Sequence, residues 1–238
     1  MQPELQPIRT HEGRTGGLVL GRAISAEAQK VLRNTYLLLA LTMAPTIGGA
    51  VLGMASGGII LQFPIVSTLV MLAAVIGLQF AIVANRNSVV GVALLLLMTG
   101  LLGWWLGPIL NIALTLKNGG QLVGYAAGGT ALVLFAMATV ATTTKRDFSF
   151  MGKFLFVGMI ALLIAMLANM FLQIPALALT VSTLVIVVFS LFLLHDLSRI
   201  ITGGETNYIV AATGVYMSLF NIFANLLSLL MSLTGERD

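Results

Sequence analysis

The sequence predicts an all-α integral membrane protein with seven transmembrane helices, and three observations carry the prediction. Of its 238 residues 58% are hydrophobic and only 8% are charged, against about a quarter charged in an ordinary soluble domain. Eight charged residues (Glu4, Arg9, Glu12, Arg14, Arg22, Glu27, Lys30, Arg33) crowd in before position 34, so the runs behind them are almost free of charge. Those runs number seven, each long enough to cross a hydrocarbon core of about 30 Å.

Taken in order, residues 1–33 read as a cytoplasmic tail. Up to about residue 21 it carries four glycines and two prolines without helical periodicity and is expected to be flexible. Residues 25–34 (SAEAQKVLRN) follow, with Ser25 as N-cap and basic residues toward the end, which predicts a short helix leading into the membrane. The seven-helix domain occupies 34–238. Its first span covers about 35–53, with Pro45 as an expected kink. The others follow at about 63–84, 89–110, 121–141, 153–171, 175–201 and 208–233. No cleavable signal peptide is expected, because the first apolar run is long enough to span and lies behind a polar tail of more than thirty residues.

Basic residues set the orientation. Alternating sides, the tail, Arg86, Lys145, Arg146, Lys153 and Arg199 fall together, ten basic residues in all, and only Lys117 and Arg237 fall opposite. An excess of Lys and Arg marks the cytoplasmic side, so the N-terminus is expected inside and the C-terminus outside. The net charge of +4 comes from residues scattered at span edges, with no aromatic-interleaved basic patch, so nucleic acid is not an expected partner and the lipid bilayer is. Zero cysteines exclude disulfides, thiolate zinc sites and a Cys nucleophile, and two histidines, His11 and His195, make a histidine-built metal site unexpected.

The seventh span organises the rest. Ala211, Gly214, Ser218, Asn221, Asn225, Ser228 and Ser232 recur at helical spacing, giving one small and polar face on an otherwise apolar helix. Such a stripe cannot face lipid and needs other helices around it. Ser218, Asn221 and Asn225 are expected to hydrogen-bond across to neighbouring helices, with a water-lined path as the sharper alternative. Glycines spaced by four (Gly49, Gly53, Gly57; Gly103, Gly107; Gly120, Gly124, Gly128) predict close backbone approach between helices of the same chain.

Ionisable groups inside spans are functional candidates, and only His195 and Asp196, with Arg199 a turn on, qualify. They sit at the end of the sixth span, before its expected Gly203-Gly204 C-cap. Asp196 and Arg199 are three apart and could pair. Together the three could form a proton- or cation-sensing site, or Asp196 and Arg199 could be an interfacial pair that anchors the helix end. No enzyme is expected: HExxH and GxSxG are absent, and Glu205-Thr206 reads as a cap for the seventh helix. No cofactor or metal is called for, and no inverted-repeat symmetry of the transporter kind is visible.

Seven runs in order carry a family resemblance: KVLRNTY (30–36), TGLLGWWLGPILN (99–111, with Gly103, Gly107 and Pro108), GGTALV (128–133), TTKRDFSFMG (143–152), ANMFLQIPAL (168–177), GGETNYI (203–209) and YMSLFNIF (216–223). They cover nearly everything from Lys30 onward and resemble the Bax inhibitor family, most of all its bacterial branch whose known member modulates the membrane-anchored ATP-dependent protease FtsH. The resemblance implies a seventh helix at the centre, wrapped by the other six. It implies a location in the bacterial inner membrane and FtsH, with its regulators, as partner, the tail acting as the handle in membrane-protein quality control. The alternative implied function is a calcium or proton leak channel gated by two aspartates sharing a proton. Asp196 matches the first of these, but Ser218 stands where the second would be and the second span lacks the pairing arginine. The like-charge mechanism that raises a carboxylate pKa has lost its partner, so any leak is expected to have weak or altered pH gating.

Overall fold

A computed structural model describes residues 24–144 and 146–235. The tail expected over residues 1–21 lies outside these. Among the described residues there are eight helices and no strand: α1 (Ala26–Ser56), α2 (Gly58–Gln62), α3 (Pro64–Ala84), α4 (Val89–Thr115), α5 (Gly119–Thr144), α6 (Met151–Leu172), α7 (Pro175–Thr202) and α8 (Tyr208–Gly235). All but the five-residue α2 are long and apolar enough to cross a membrane.

Boundaries follow local chemistry. Ser25 is the N-cap of α1, its hydroxyl accepting the Ala28 N–H at 3.1 Å. Where a short lead-in helix and a separate first span were expected, a single helix runs from Ala26 to Ser56. Lys30 and Arg33 are good helix formers, so their polarity marks the membrane edge without ending the helix. Pro45 lies inside α1 and Pro108 inside α4, neither ending its helix. Pro64 and Pro175 open α3 and α7 in the first turn, where proline's missing N–H costs nothing. Gly203 closes α7 in the left-handed conformation (φ 83°), and the Gly204 N–H returns to the Arg199 carbonyl at 2.8 Å.

α8 is the axis. From Ala211 to Met231 every residue is buried or half-buried, and the helix packs against α1, α3, α4, α5 and α7, while α6 packs on α7. The main core gathers Leu95 and Met98 of α4, Leu193 and Leu197 of α7, and Val215, Tyr216 and Ile222 of α8; a smaller one joins Ala113, Leu122, Ala126 and Leu227 toward the other end. Lipid already solvates apolar side chains, so shape complementarity and dispersion hold these contacts rather than expulsion of water.

The closest approach is between α1 and α4. A Cβ at Gly49 would overlap the Gly100 carbonyl, one at Gly53 the Trp104 carbonyl, one at Gly103 the Thr46 carbonyl, and one at Gly107 the backbone of Gly53. Pro108 fills the space beside Gly57. Trp104 Nε1 donates to Ser56 Oγ at 2.8 Å along the same seam. The glycine rows of these two helices therefore do what their spacing predicts. The third row does not: Gly120, Gly124 and Gly128 are exposed, and a Cβ at any of them would meet nothing within 4 Å. α5 turns Leu122, Ala126 and Thr130 inward, which rotates its glycine row away from the bundle.

Candidate functional site

The ionisable groups that sequence reading singled out lie at the end of the bundle where α1 begins and α7 ends, the face that also carries Lys30, Arg33, Arg86, Arg146 and Lys153. α7 supplies the centre. Apolar residues precede its last turns, and then His195, Asp196, Ser198 and Arg199 project in four directions from one and a half turns of helix.

Asp196 points toward α8. Its Oδ2 would stand 2.5 Å from a Cβ at Gly214, so the absent side chain there gives the carboxylate its place. Its Oδ1 lies 3.0 Å from His195 Nδ1. Gln79 of α3, Asp196 and Arg199 of α7, Glu205, and Thr213 and Gly214 of α8 line a cavity of about 140 Å³. The Asp196–Arg199 pair allowed by their spacing does not form. Arg199 reaches forward instead, its Nη2 3.3 Å from the Gly204 carbonyl and 3.4 Å from Glu205 Oε2. The left-handed turn at Gly203 brings these acceptors back over the end of α7, where a cation also meets the negative end of the helix.

The cap of α8 is likewise displaced by one step. Asn207, rather than Glu205 or Thr206, accepts the Ile209 and Val210 N–H groups at 3.0 and 3.1 Å. Glu205 Oε1 accepts the Asn207 N–H at 2.9 Å, and the Asn207 amide donates to the Arg86 carbonyl and to Asn87 Oδ1 at 2.8 and 2.9 Å. One residue thereby ties the α7–α8 turn to the α3–α4 turn.

His195 is buried, and its Nε2 lies against the first turn of α6, where a Cβ at Gly152 would approach to 2.8 Å. Ser198 Oγ accepts the Phe148 N–H at 3.0 Å. Just before these anchors Asp147 accepts the Ser149 N–H at 2.8 Å. The Ser149 hydroxyl and N–H hold the Asp147 carboxyl below the usual carboxylate range, and the Arg199 guanidinium adds to this.

Farther along α8 the polar stripe behaves differently from expectation. Ser218 is buried at 2% exposure, but the amides of Asn221 and Asn225 turn back on their own helix, donating to the Met217 and Asn221 carbonyls at 2.8 and 2.9 Å. With apolar side chains opposite, the carbonyl four residues back is the nearest acceptor. The interhelical hydrogen bond is made by Tyr216, which the stripe did not include. Its hydroxyl lies 2.8 Å from Thr46 Oγ1 of α1 and 3.4 Å from the Thr99 carbonyl of α4. A tyrosine in an intramembrane core needs a partner for its hydroxyl, and that was the available signal. Among the described residues no group of three or more His, Cys, Asp or Glu could hold a metal ion.

Comparison with known proteins places this architecture. The family model described as "Inhibitor of apoptosis-promoting Bax1" matches residues 28–235. The chain is 44% identical to "Modulator of FtsH protease YccA" of Escherichia coli strain K12 over 84% of its own length and 89% of that protein. The same identity and coverage hold for "Inner membrane protein YccA" of Escherichia coli O6:H1. A membrane protein of Vibrio cholerae is 40% identical over 86% of this chain and 90% of the relative.

Proposed function

The chain belongs to the Bax inhibitor family of multi-pass membrane proteins, and from that premise we propose that it modulates a membrane-anchored FtsH-type protease in membrane-protein quality control, without catalysing a reaction itself. The observation that carries the reading is the 44% identity to a relative named as a modulator of FtsH protease, spread over 84% of this chain. The alignment thus takes in the bundle rather than one motif.

The site supports a binding role over a gated pore. α8 carries no carboxylate and sets Gly214 against Asp196, whose own carboxylate is engaged by His195. The face bearing Arg86, Arg146, Lys153 and Arg199 is cytoplasmic in this reading by the excess of basic residues, and the relative named "Inner membrane protein YccA" supports the bacterial inner membrane as its location. The tail is then on the side where a cytoplasmic protease domain could grip it.

The test is capture in cells. A photo-crosslinker at Arg9 or Arg14 should trap a subunit of the protease, and deleting the first twenty residues should remove both the crosslink and the effect on degradation. Full modulation by the truncated chain would refute the role of the tail.

A further inference from the structure

We propose that the connection from α5 to α6, with the first turn of α6, is a docking site for an acidic phospholipid of the leaflet at this end of the bundle. Over residues 145–154 (KRDFSFMGKF) the sequence sets three basic residues against one acidic and places three phenylalanines among them. Contact with α7 fixes the level of this run in the membrane. The Phe148 N–H donates to Ser198 Oγ at 3.0 Å, and the half-buried Phe148 ring packs on the main core. The connection therefore lies beside the last turns of α7, level with Arg199 and just before the cap at Gly203, where basic side chains mark the membrane edge.

With Phe148 held inward, the next two rings face out. Phe150 and Phe154 are 78% and 79% exposed and one helical turn apart. They head an exposed stripe that continues through Val157 and Ile164, while α6 packs on α7 with its other side. The stripe faces acyl chains along the span. Its first two rings therefore lie at the boundary between acyl chains and headgroups, the depth at which the apolar side of an interfacial segment settles.

Charge makes the boundary selective. Arg146 and Lys153 are exposed, and among the described residues neither joins an ion pair: the pairs at this end are His195 with Asp196 and Arg199 with Glu205. Asp147, the one acid of the run, accepts the N–H of Ser149 in its own turn. The two cations are thus left to the bilayer, where a basic side chain finds its counter-charge in an acidic headgroup. A zwitterionic lipid offers a phosphate as well, but its own cationic group cancels the attraction. The opposite end of the bundle supplies the contrast. Phe63 and Phe171 are also exposed there, but the polar residues near them are the neutral Gln62, Asn169 and Gln173. Rings alone seat any lipid, whereas rings beside unpaired cations choose an acidic one.

The test uses the full chain in phosphatidylcholine nanodiscs with a trace of photoreactive lipid, its diazirine high on one acyl chain. The probe is either phosphatidylglycerol or phosphatidylcholine, and labelled peptides are mapped by mass spectrometry. Phosphatidylglycerol should label residues 146–157 severalfold more than phosphatidylcholine does, and the peptides around Phe63 and Phe171 should show no such preference. In about 1 M salt, where the Debye length falls to ~3 Å, the preference should shrink toward equality. Arg146→Gln combined with Lys153→Gln should abolish it, while Arg86→Gln, on the same face, should leave it in place. Equal labelling by the two lipids in the parent would overturn the site and assign the exposed rings to a protein partner. A preference indifferent to salt, or one that survives in the double variant, would overturn it too. The salt response is read on the parent chain, so it decides even if the double variant fails to fold, and with no protease present the outcome is independent of the modulatory role.

Discussion

Alanine at Gly53 and alanine at Gly124 are the same chemical change at the same spacing in a glycine row, and the structure predicts opposite outcomes. At Gly53 the added methyl falls on the Trp104 carbonyl, with Gly107 Cα 3.0 Å away. Both obstacles are backbone, so no rotamer change can relieve them and α1 must move away from α4. A gap of 0.5–1 Å forfeits about a quarter to a half of each dispersion contact, themselves worth ~0.1–0.2 kcal/mol apiece. Spread along a seam that also contains Gly49, Gly103 and Gly107, this comes to about 1–3 kcal/mol, the usual range for overpacking. At Gly124 nothing lies within 4 Å; the methyl enters lipid, and the helix gains up to about 1 kcal/mol from alanine's better propensity. Thermal or denaturant unfolding of the two variants in one detergent should place Gly53→Ala below the parent and Gly124→Ala at or above it. A neutral Gly53→Ala, or a Gly124→Ala as damaging, would refute the assignment of the two rows.

Further outcomes follow from single contacts. Tyr216→Phe removes the hydroxyl that bridges Thr46 and Thr99 and should cost about 0.6–1.7 kcal/mol, measured by the same unfolding assay; Asn225→Ala, whose amide bonds only its own helix, should cost less. Asn207→Ala loses the α8 cap together with the tie to Arg86 and Asn87, so a loss of about 1–2 kcal/mol is expected, with faster hydrogen exchange in both turns. Asp147 has a lowered folded-state pKa, so its stabilisation is present above the unfolded value of about 3.9 and is lost as pH falls through the folded one. Melting temperatures of the parent and Asp147→Asn should therefore differ at neutral pH and converge in strong acid.

Hydropathy and charge made the spans and their shared basic face legible, because a spanning helix must be apolar along its whole length. Spacing was less informative about direction. Gly53 and Gly124 sit in identical four-residue rows, but which side of a helix meets a neighbour is set by the rest of its surface, and Leu122, Ala126 and Thr130 turned α5 the other way. The same limit applied to the site. His195, Asp196 and Arg199 could be picked out as the ionisable groups, and three-residue spacing allowed Asp196 to meet Arg199. The turn at Gly203 decided otherwise by offering Arg199 nearer acceptors, and Gly214 gave Asp196 a place against α8. The role of Gly152 depends on α6 lying beside α7, a contact between residues more than forty positions apart that no local pattern encodes.

The most direct test of the proposed function is reconstitution. Purified full-length chain and the FtsH-type protease of the same cell would be placed together in lipid nanodiscs, and the degradation rate of a membrane-protein substrate measured with and without it. The account predicts that degradation slows in proportion to the amount of chain added, and that the slowing vanishes when the first twenty residues are removed. An unchanged degradation rate at every ratio would contradict it.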